Sequence, residues 1–405
     1  MLSRRLSVAL LGENYFPTLG GIQEHIHHVA RELLARGHRV KVLSGMPDVP
    51  WQGPRDEDWV IRVGRARQVG LMGTRTSLTL GPRVAWNLRR ILRNERFDLV
   101  HVHGPCDVGL PALLYASYRG PIVATLHSPM NGRSPWRRLL APYYRWVLGR
   151  RCDAVIAVSE AARAAMASHA PFNATIVPNG VDAAAFGRGR PLARFADGKT
   201  NILMLGRLEP RNGPDLMLRA LPHVLARRPD VRLLIAGAAD RSYTLGVPAA
   251  VRERVVFLGP VYHERADLYA SARLCVVPAR AGTFSIIVLE ALAAGVPVVA
   301  TPFVSSWQSE AHFAPVRVSP DFDPETLART IVSALAEDPR QRIAAGRAVA
   351  RAFDWEHVVD RIEGIYGEVC GVGQAAASAP VLPVLPVLPV SPVLPAHAEL
   401  RRSAR

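Results

Sequence analysis

Lysine is nearly missing from this chain of 405 residues: Lys41 and Lys199 are the only two, so arginine carries almost all of its positive charge. Cysteine is scarce as well. Cys106, Cys152, Cys275 and Cys370 stand far apart, with no Cys-x-x-Cys pair and no histidine at metal-ligand spacing. That scarcity argues for a reducing compartment and against a structural zinc site. No stretch reaches the roughly 18 uncharged apolar residues that a membrane-spanning helix needs. Residues 1–11 hold two arginines and a short apolar run that breaks at Glu13-Asn14 without a small-residue cleavage site, which reads as a first strand and not a secretory signal. These absences predict a cytoplasmic protein, at most peripheral on the inner face of a membrane.

What is present is apolar and basic. Hydrophobic residues make up 49% and charged residues 21%, and the length is too great for one ordinary core, so two domains are expected. The formal charge of +16 is uneven: residues 1–190 hold 26 Lys+Arg against 13 Asp+Glu, whereas residues 191–405 hold 24 against 21. The first part, with a net charge of +13, should attract anionic partners. Residues 133–151 hold Arg133, Arg137, Arg138, Arg145, Arg150 and Arg151, interleaved with Trp136, Tyr143, Tyr144 and Trp146 and no acid. Such a basic aromatic helix suits an anionic membrane surface. Base stacking would use similar residues, but no nucleic-acid partner is expected. Leu139, Leu140, Trp146, Val147 and Leu148 could equally form a face packed on a sheet. Arg62, Arg65, Arg67 and Arg75 form a second cluster, suited to a phosphorylated acceptor.

Short apolar runs alternate with amphipathic stretches, the pattern of a mostly parallel sheet with crossover helices. Strands are predicted at 6–11, 39–43, 60–63, 99–103, 122–126 and 154–158, then at 201–205, 231–236, 255–257, 274–277 and 298–300. The Gly/Arg/Pro-rich segment 187–198 separates the two series. The fold class is therefore α/β: two doubly wound Rossmann-like domains facing a central cleft, one over 1–190 and one over 191–354. Helices are predicted at 325–336 and 341–352. A terminal helix over 355–370 should pack back on the first domain. Residues 371–405 form a Pro-rich tail whose 381–395 segment reads VLP-VLP-VLP-VSP-VLP, a polyproline II rod or a disordered extension.

Two turns in the second series carry chemistry. Gly206-Arg207-Leu208-Glu209-Pro210-Arg211-Asn212-Gly213 follows a strand and opens a helix, so free backbone amides and the helix dipole favour an anion there. Arg207 adds a guanidinium that can grip a phosphate bidentately. The block Gly282-Thr283-Phe284-Ser285 leads into a helix whose apolar face Glu290 interrupts. A carboxylate there must be satisfied, either by a nearby arginine or by sugar hydroxyls.

Seven motifs in one order complete the pattern: Gly20-Gly21-Ile22-Gln23-Glu24-His25, His101-Val102-His103, the IVATLHS run at 122–128, VIAVS at 155–159, VPNGVD at 177–182, GRLEPRNG at 206–213 and GTFSIIVLEALAAGVPVVAT at 282–301. From about residue 6 to about 369 the chain resembles the retaining glycosyltransferases of family four, of GT-B architecture, and most of all their bacterial phosphatidylinositol mannosyltransferase branch. The resemblance implies a retaining hexosyltransferase that uses a nucleoside-diphosphate sugar, GDP-mannose or a UDP-sugar, and a lipid-linked or polyol acceptor, with no further cofactor and no metal required. It assigns Gly20 and Gly21 to the donor phosphates, His127 to the reacting face of the sugar and Arg207 to the diphosphate. It assigns Glu290 to the ribose, and Gly282, Thr283, Phe284 and Ser285 to the transferred sugar, with Arg211 and Asn212 beside them. Arg65, Arg67, Trp136, Arg137 and Arg138 fall on the acceptor or membrane side.

The chain also departs from the family. Asn212 stands where lysine is usual, and Gly282 where the first glutamate of the E-x7-E pair is usual. Ser285 replaces a glycine, and Gly237-Ala238-Ala239 replaces a Gly-x-Gly. Losing one phosphate clamp from a water-poor site costs about 10²–10³ in rate. A catalytically weakened homologue that binds a nucleotide sugar or a partner without turnover is therefore the competing reading. An epimerase on the same architecture would need catalytic carboxylates that are not identified here. No second carboxylate stands beside Glu290 to act as a nucleophile, so a same-face transfer in which the departing diphosphate helps to deprotonate the acceptor is expected.

Overall fold

The computed structural model describes residues 2–13, 15–47, 58–71, 74–127, 135–167, 171–238, 246–282, 284–303 and 315–373, with the side chains of 68–71, 74–77 and 135–138 outside that description. A first sheet is built from β1 (Ser7–Gly12), β2 (Arg39–Pro47), β3 (Val60–Leu71), β4 (Thr74–Leu78), β5 (Leu99–His103), β6 (Ile122–Leu126), β7 (Ala154–Ala157) and β8 (Thr175–Ile176). Its order is β4-β3-β2-β1-β5-β6-β7-β8, parallel throughout except for the β3–β4 pair. A second, wholly parallel sheet orders β9 (Thr200–Leu205), β10 (Val231–Ala236), β11 (Val255–Gly259), β12 (Leu274–Val277), β13 (Val298–Ala300) and β14 (Val316–Val318) as β11-β10-β9-β12-β13-β14.

Helices cover both faces of each sheet, which is why β5, β6 and β10 are buried at every position and are mostly apolar, with only His101, His103, Thr125 and Arg232 as polar residues. Strand β5 adds a twist of its own. Side chains alternate across a strand, so Val100 and Val102 enter one core while His101 and His103 share the opposite face. On that opposite face lie two helices. Gly21–Ala35 buries Ile26, Val29, Ala30 and Leu33, and Trp355–Cys370 buries Trp355, Val358, Val359, Ile362 and Tyr366, both at helical spacing. Each fully buried aliphatic or aromatic side chain contributes roughly 1.5–3 kcal/mol. Arg36 fastens the two helices together, with Nη1 2.7 Å from Asp360 Oδ1 and 2.6 Å from Glu363 Oε2. The last helix thus packs on the first sheet, and it stops where Gly371 adopts φ 64°.

The strand orders reverse direction at β1/β5 in the first sheet and at β9/β12 in the second. In open α/β sheets ligands bind beyond the carboxyl ends of the strands at such reversals. The loops that follow β1, β5, β9 and β12 are therefore where the chemistry belongs.

Some elements differ from the sequence expectation. Strand β3 runs to Leu71, because Arg65 and Arg67 alternate outward while Val63 and Ala66 point in, and it turns back through β4 as a hairpin. Strands β8 and β14 are two and three residues long at sheet edges, too short to carry a periodic signal. The basic 133–151 segment is an α-helix over Pro135–Trp146 followed by a π-helical turn over Val147–Arg151. Tyr144, Val147 and Leu148 are buried, while Leu139 is 68% and Trp146 44% exposed, so the segment both packs on the sheet and shows apolar surface to solvent. The tail from residue 374 onward lies outside the described residues.

Candidate active site between the two sheets

Gly20 is the N-cap of the Gly21–Ala35 helix and, having no side chain, leaves the first-turn amides without a side-chain cap. A Cβ added at Gly21 would lie 3.3 Å from Ile286 Cδ1, the first residue of the Ile286–Ala293 helix of the second half. The two halves therefore meet at these helix starts, and only a residue without a side chain leaves room for a ligand between them.

His127 follows β6 at the same rim. Its Nε2 lies 3.0 Å from His103 Nδ1, and its ring centre is 4.7 Å from that of His25. His25 in turn has Nδ1 2.8 Å from Asn179 Oδ1, a carbonyl that can only accept, so His25 carries its proton on Nδ1. His101 spans Tyr366 Oη and Thr125 Oγ1, each at 2.6 Å. Burial holds all four imidazoles neutral: it lowers His25 to about 4 and pushes His101, His103 and His127 well below their ordinary value. A neutral His127 can position a hydroxyl through a ring nitrogen but holds no standing positive charge. Among the described residues, ring nitrogens of His25, His103 and His127 form the one set of three possible metal-ligand atoms, all within 4.8 Å of one another. Zinc–nitrogen bonds of about 2.0–2.1 Å require a tighter grouping than that.

On the facing side, β9 runs into Gly206, the Pro210–Asn212 turn and the Pro214–Leu225 helix. Gly213 makes this connection possible. It adopts φ 71°, and a Cβ there would sit 1.9 Å from the carbonyl oxygen of Pro278. Arg207 is half-exposed, with Nη1 3.0 Å from Glu209 Oε1, while Arg211 donates from Nε to Glu209 Oε2 at 2.8 Å. One carboxylate thus parks both arginines of the turn. Asn212 uses its side-chain amide on the Arg207 carbonyl at 2.6 Å. The Arg211 carbonyl accepts from the amide of Arg280 at 2.7 Å, which ties this turn to the one after β12.

That second turn holds Gly282, where a Cβ would meet, among the described residues, Phe303 Cε1 at 3.4 Å. Phe284 touches both the core beneath the first sheet and that of the second. Ser285 is the N-cap of the Ile286–Ala293 helix and makes no side-chain capping bond, while its carbonyl accepts from the Val288 amide at 3.2 Å. Glu290 is buried on that helix. Its Oε1 is 3.0 Å from Arg265 Nη1 and its Oε2 accepts from Tyr269 Oη at 2.9 Å, so the arginine partner weighed from the sequence is present. Burial raises the Glu290 pKa against the pull of Arg265.

Gly20, Gly21 and His127 thus stand on the first half, with Gly21 against Ile286, while Arg207, Arg211, Asn212, Gly282, Phe284, Ser285 and Glu290 lie on the two linked turns and the helix of the second half. Thr283 lies outside the described residues. Arg65 and Arg67 are exposed on β3, three strands from the β1/β5 reversal, and are not part of this cluster. Arg62 turns away from them to donate to the carbonyls of Gly45 and Phe16. Trp136, Arg137 and Arg138 belong to the Pro135–Trp146 helix, and their side chains lie outside the described residues. Sequence reasoning quoted His25 and His103 within motifs without giving them a place in the site. The His-x-His spacing in a strand, which puts both rings on one face, was the available signal. Arg265 had no signal at all, because its partners lie 241 and 25 residues away in sequence.

Residues 19–185 match the profile described as Glycosyltransferase Family 4, and residues 199–337 match Glycosyl transferases group 1. A Mycobacterium tuberculosis protein named phosphatidyl-myo-inositol mannosyltransferase is 33% identical over 371 residues, covering 88% of this chain and 96% of that one. A protein of the same name from Propionibacterium freudenreichii is 27% identical, with 89% and 94% covered. Among solved structures, a glycosyltransferase from Rickettsia africae aligns at a TM-score of 0.70 and 17% identity over 90% of this chain and 98% of its own. The Anabaena protein HepE, solved in complex with UDP and glucose, aligns at 0.69 and 18% identity over 90% and 100%. At those identities the structural likeness speaks for the fold. A 33% likeness that spans almost the whole of both chains speaks for more: this chain belongs to the family four glycosyltransferases and is a glycosyltransferase of GT-B fold.

Proposed function

We propose that this enzyme moves a hexose, with retention, from a nucleoside-diphosphate sugar to a lipid-linked or polyol acceptor at an anionic membrane surface. The observation that carries the reading is the meeting of two helix starts, at Gly21 and Ile286, across a cleft that has neutral His127 on one wall and Arg207 on the other. Backbone amides at both starts suit a diphosphate. The Arg207–Glu209 pair is exposed and worth at most about 1 kcal/mol, so Arg207 can exchange it for a phosphate at little cost. Glu290, charged beside Arg265, has lone pairs left for ribose hydroxyls. His127 orients a sugar hydroxyl, and the departing diphosphate assists removal of the acceptor proton.

Mannose is the sugar suggested by the names of the mannosyltransferase relatives, and a phosphatidylinositol is the acceptor they suggest. The +13 charge of residues 1–190 and the exposed Leu139 and Trp146 on an arginine-rich helix fit a peripheral membrane position. No helix among the described residues is long and apolar enough to cross a membrane.

The test is transfer from radiolabelled GDP-mannose, UDP-glucose and UDP-galactose to phosphatidylinositol in vesicles and to free inositol. Label entering the lipid or the polyol supports the reading. Nucleotide binding with no transfer and no donor hydrolysis supports the weakened-homologue alternative.

A further inference from the structure

Arg265 is held from both sides of the cleft. It opens the short Arg265–Ala270 helix of the second half, and its Nη1 lies 3.0 Å from Glu290 Oε1. Its Nη2 lies 3.0 Å from Glu24 Oε1, on the Gly21–Ala35 helix of the first half. The guanidinium stands over the rings of Tyr262 at 5.1 Å and Phe186 at 5.7 Å. Glu24 is steadied by its own helix: its Oε2 is 3.6 Å from His28 Nε2, and the His28 ring stacks on Trp355 with centres 5.0 Å apart. Tyr262, beside the guanidinium, reaches across to Phe16 with ring centres 5.4 Å apart.

The side chains of Glu24, Arg265 and Glu290 are 7%, 16% and 3% exposed, so none of these charges is hydrated by bulk water. Breaking one link of a buried ionic set is costly because it leaves a charge uncompensated. Opening the cleft does not break the three links equally. Arg265, Tyr269 and Glu290 travel together on the second half, whereas Glu24 leaves with the first. The Glu24–Arg265 contact is therefore the one link in this set that exists only while the cleft is shut.

We propose that Glu24 is a positioning residue for transfer: acting through Arg265, it clamps the two halves together and brings Gly21 and His127 onto a donor already seated at Arg207 and Glu290. The kinetic part of this proposal rests on the donor-site reading above, while the clamp itself does not.

Two measurements on Glu24→Ala and Glu24→Gln test it. In small-angle scattering of the nucleotide-free protein, Glu24→Ala should expand the radius of gyration by about 1 Å, the signature of hinge opening, with Glu24→Gln in between. In steady-state transfer, kcat should fall about tenfold or more while the nucleotide Kd rises by clearly less, because the donor contacts at Arg207 and Glu290 on the second half are untouched and only the Gly21 contact is lost. Unchanged scattering in Glu24→Ala overturns the clamp. So does a fall in nucleotide affinity as large as the fall in kcat, since that would mark a general loss of structure. If the native protein binds no nucleotide, the donor-site reading fails and the scattering comparison still judges the clamp.

Discussion

The Asn212 side-chain amide donates to the carbonyl oxygen of Arg207 at 2.6 Å. The side chain at the position where the family resemblance implies a lysine is thus used inside the turn, and the proposed donor site leaves the diphosphate to Arg207, Arg211 and helix-start amides. Asn212→Lys removes one exposed hydrogen bond, a loss of about 0.5–1.5 kcal/mol, and adds a point charge to the phosphate site. Turnover should rise by about tenfold or more, measured as initial rate of transfer at saturating donor, with a slightly lower melting temperature.

Gly282→Glu is the companion change. Among the described residues its Cβ meets Phe303 Cε1, at an ordinary 3.4 Å, and the residue has no left-handed backbone to strain, so the variant should fold like the parent. Its melting temperature should stay within roughly 2 °C, the scale of a surface substitution. In the proposed donor site Gly282 belongs to the sugar subsite, so a new carboxylate there should change the order of preference among sugar nucleotides. A competition assay with mixed labelled donors reads that shift.

Gly213→Ala should be far less benign. Gly213 combines φ 71° with a Cβ position 1.9 Å from the Pro278 carbonyl, and neither can relax without moving the backbone of both donor turns. A loss of about 2–4 kcal/mol is expected, read as a lower urea midpoint, together with weaker nucleotide binding.

The buried histidines set a pH dependence. His25 and His27 are lowered to about 4, and His101, His103 and His127 lie well below 6.5, all chiefly through burial. Between pH 6.5 and 4 the unfolded chain binds protons at these rings and the folded chain does not. Each ring therefore withdraws up to about 1.4 kcal/mol of stability per pH unit as the pH falls through that window. The carboxyls of Glu13, Asp107, Glu290 and Asp354 oppose them, because burial raises all four, Glu13 and Asp107 to about 7, and the folded chain takes up their protons first on acidification. Five rings outweigh these four carboxyls, so urea midpoints should fall from pH 6.5 to 4. Over pH 6–8 kcat should show no imidazole inflection.

Much of the scaffold is readable from the amino acids because burial on both faces writes itself as apolar runs. β5, β6, β10 and β12 appear at or near their observed limits, and the Trp355–Cys370 helix shows its spacing plainly. The hairpin arm of β3 and β4 hides because it exposes arginines on one face, and β8 and β14 are shorter than any period. The donor turns are legible as strand–glycine–helix junctions. The parking of Arg207 and Arg211 on Glu209 and the bridging of Glu24 to Glu290 by Arg265 are not, because they depend on how two independently coded sheets come to face each other.

The account stands or falls on whether the helix starts and Arg207 receive a diphosphate. Calorimetric titration of the full chain with GDP, UDP, GDP-mannose and UDP-glucose, repeated on Arg207→Ala, tests this directly. One base should bind, and its Kd should rise about tenfold or more in the variant, as expected for losing one charged contact to phosphate. No binding by any of the four, or equal affinity in the two proteins, contradicts the assignment.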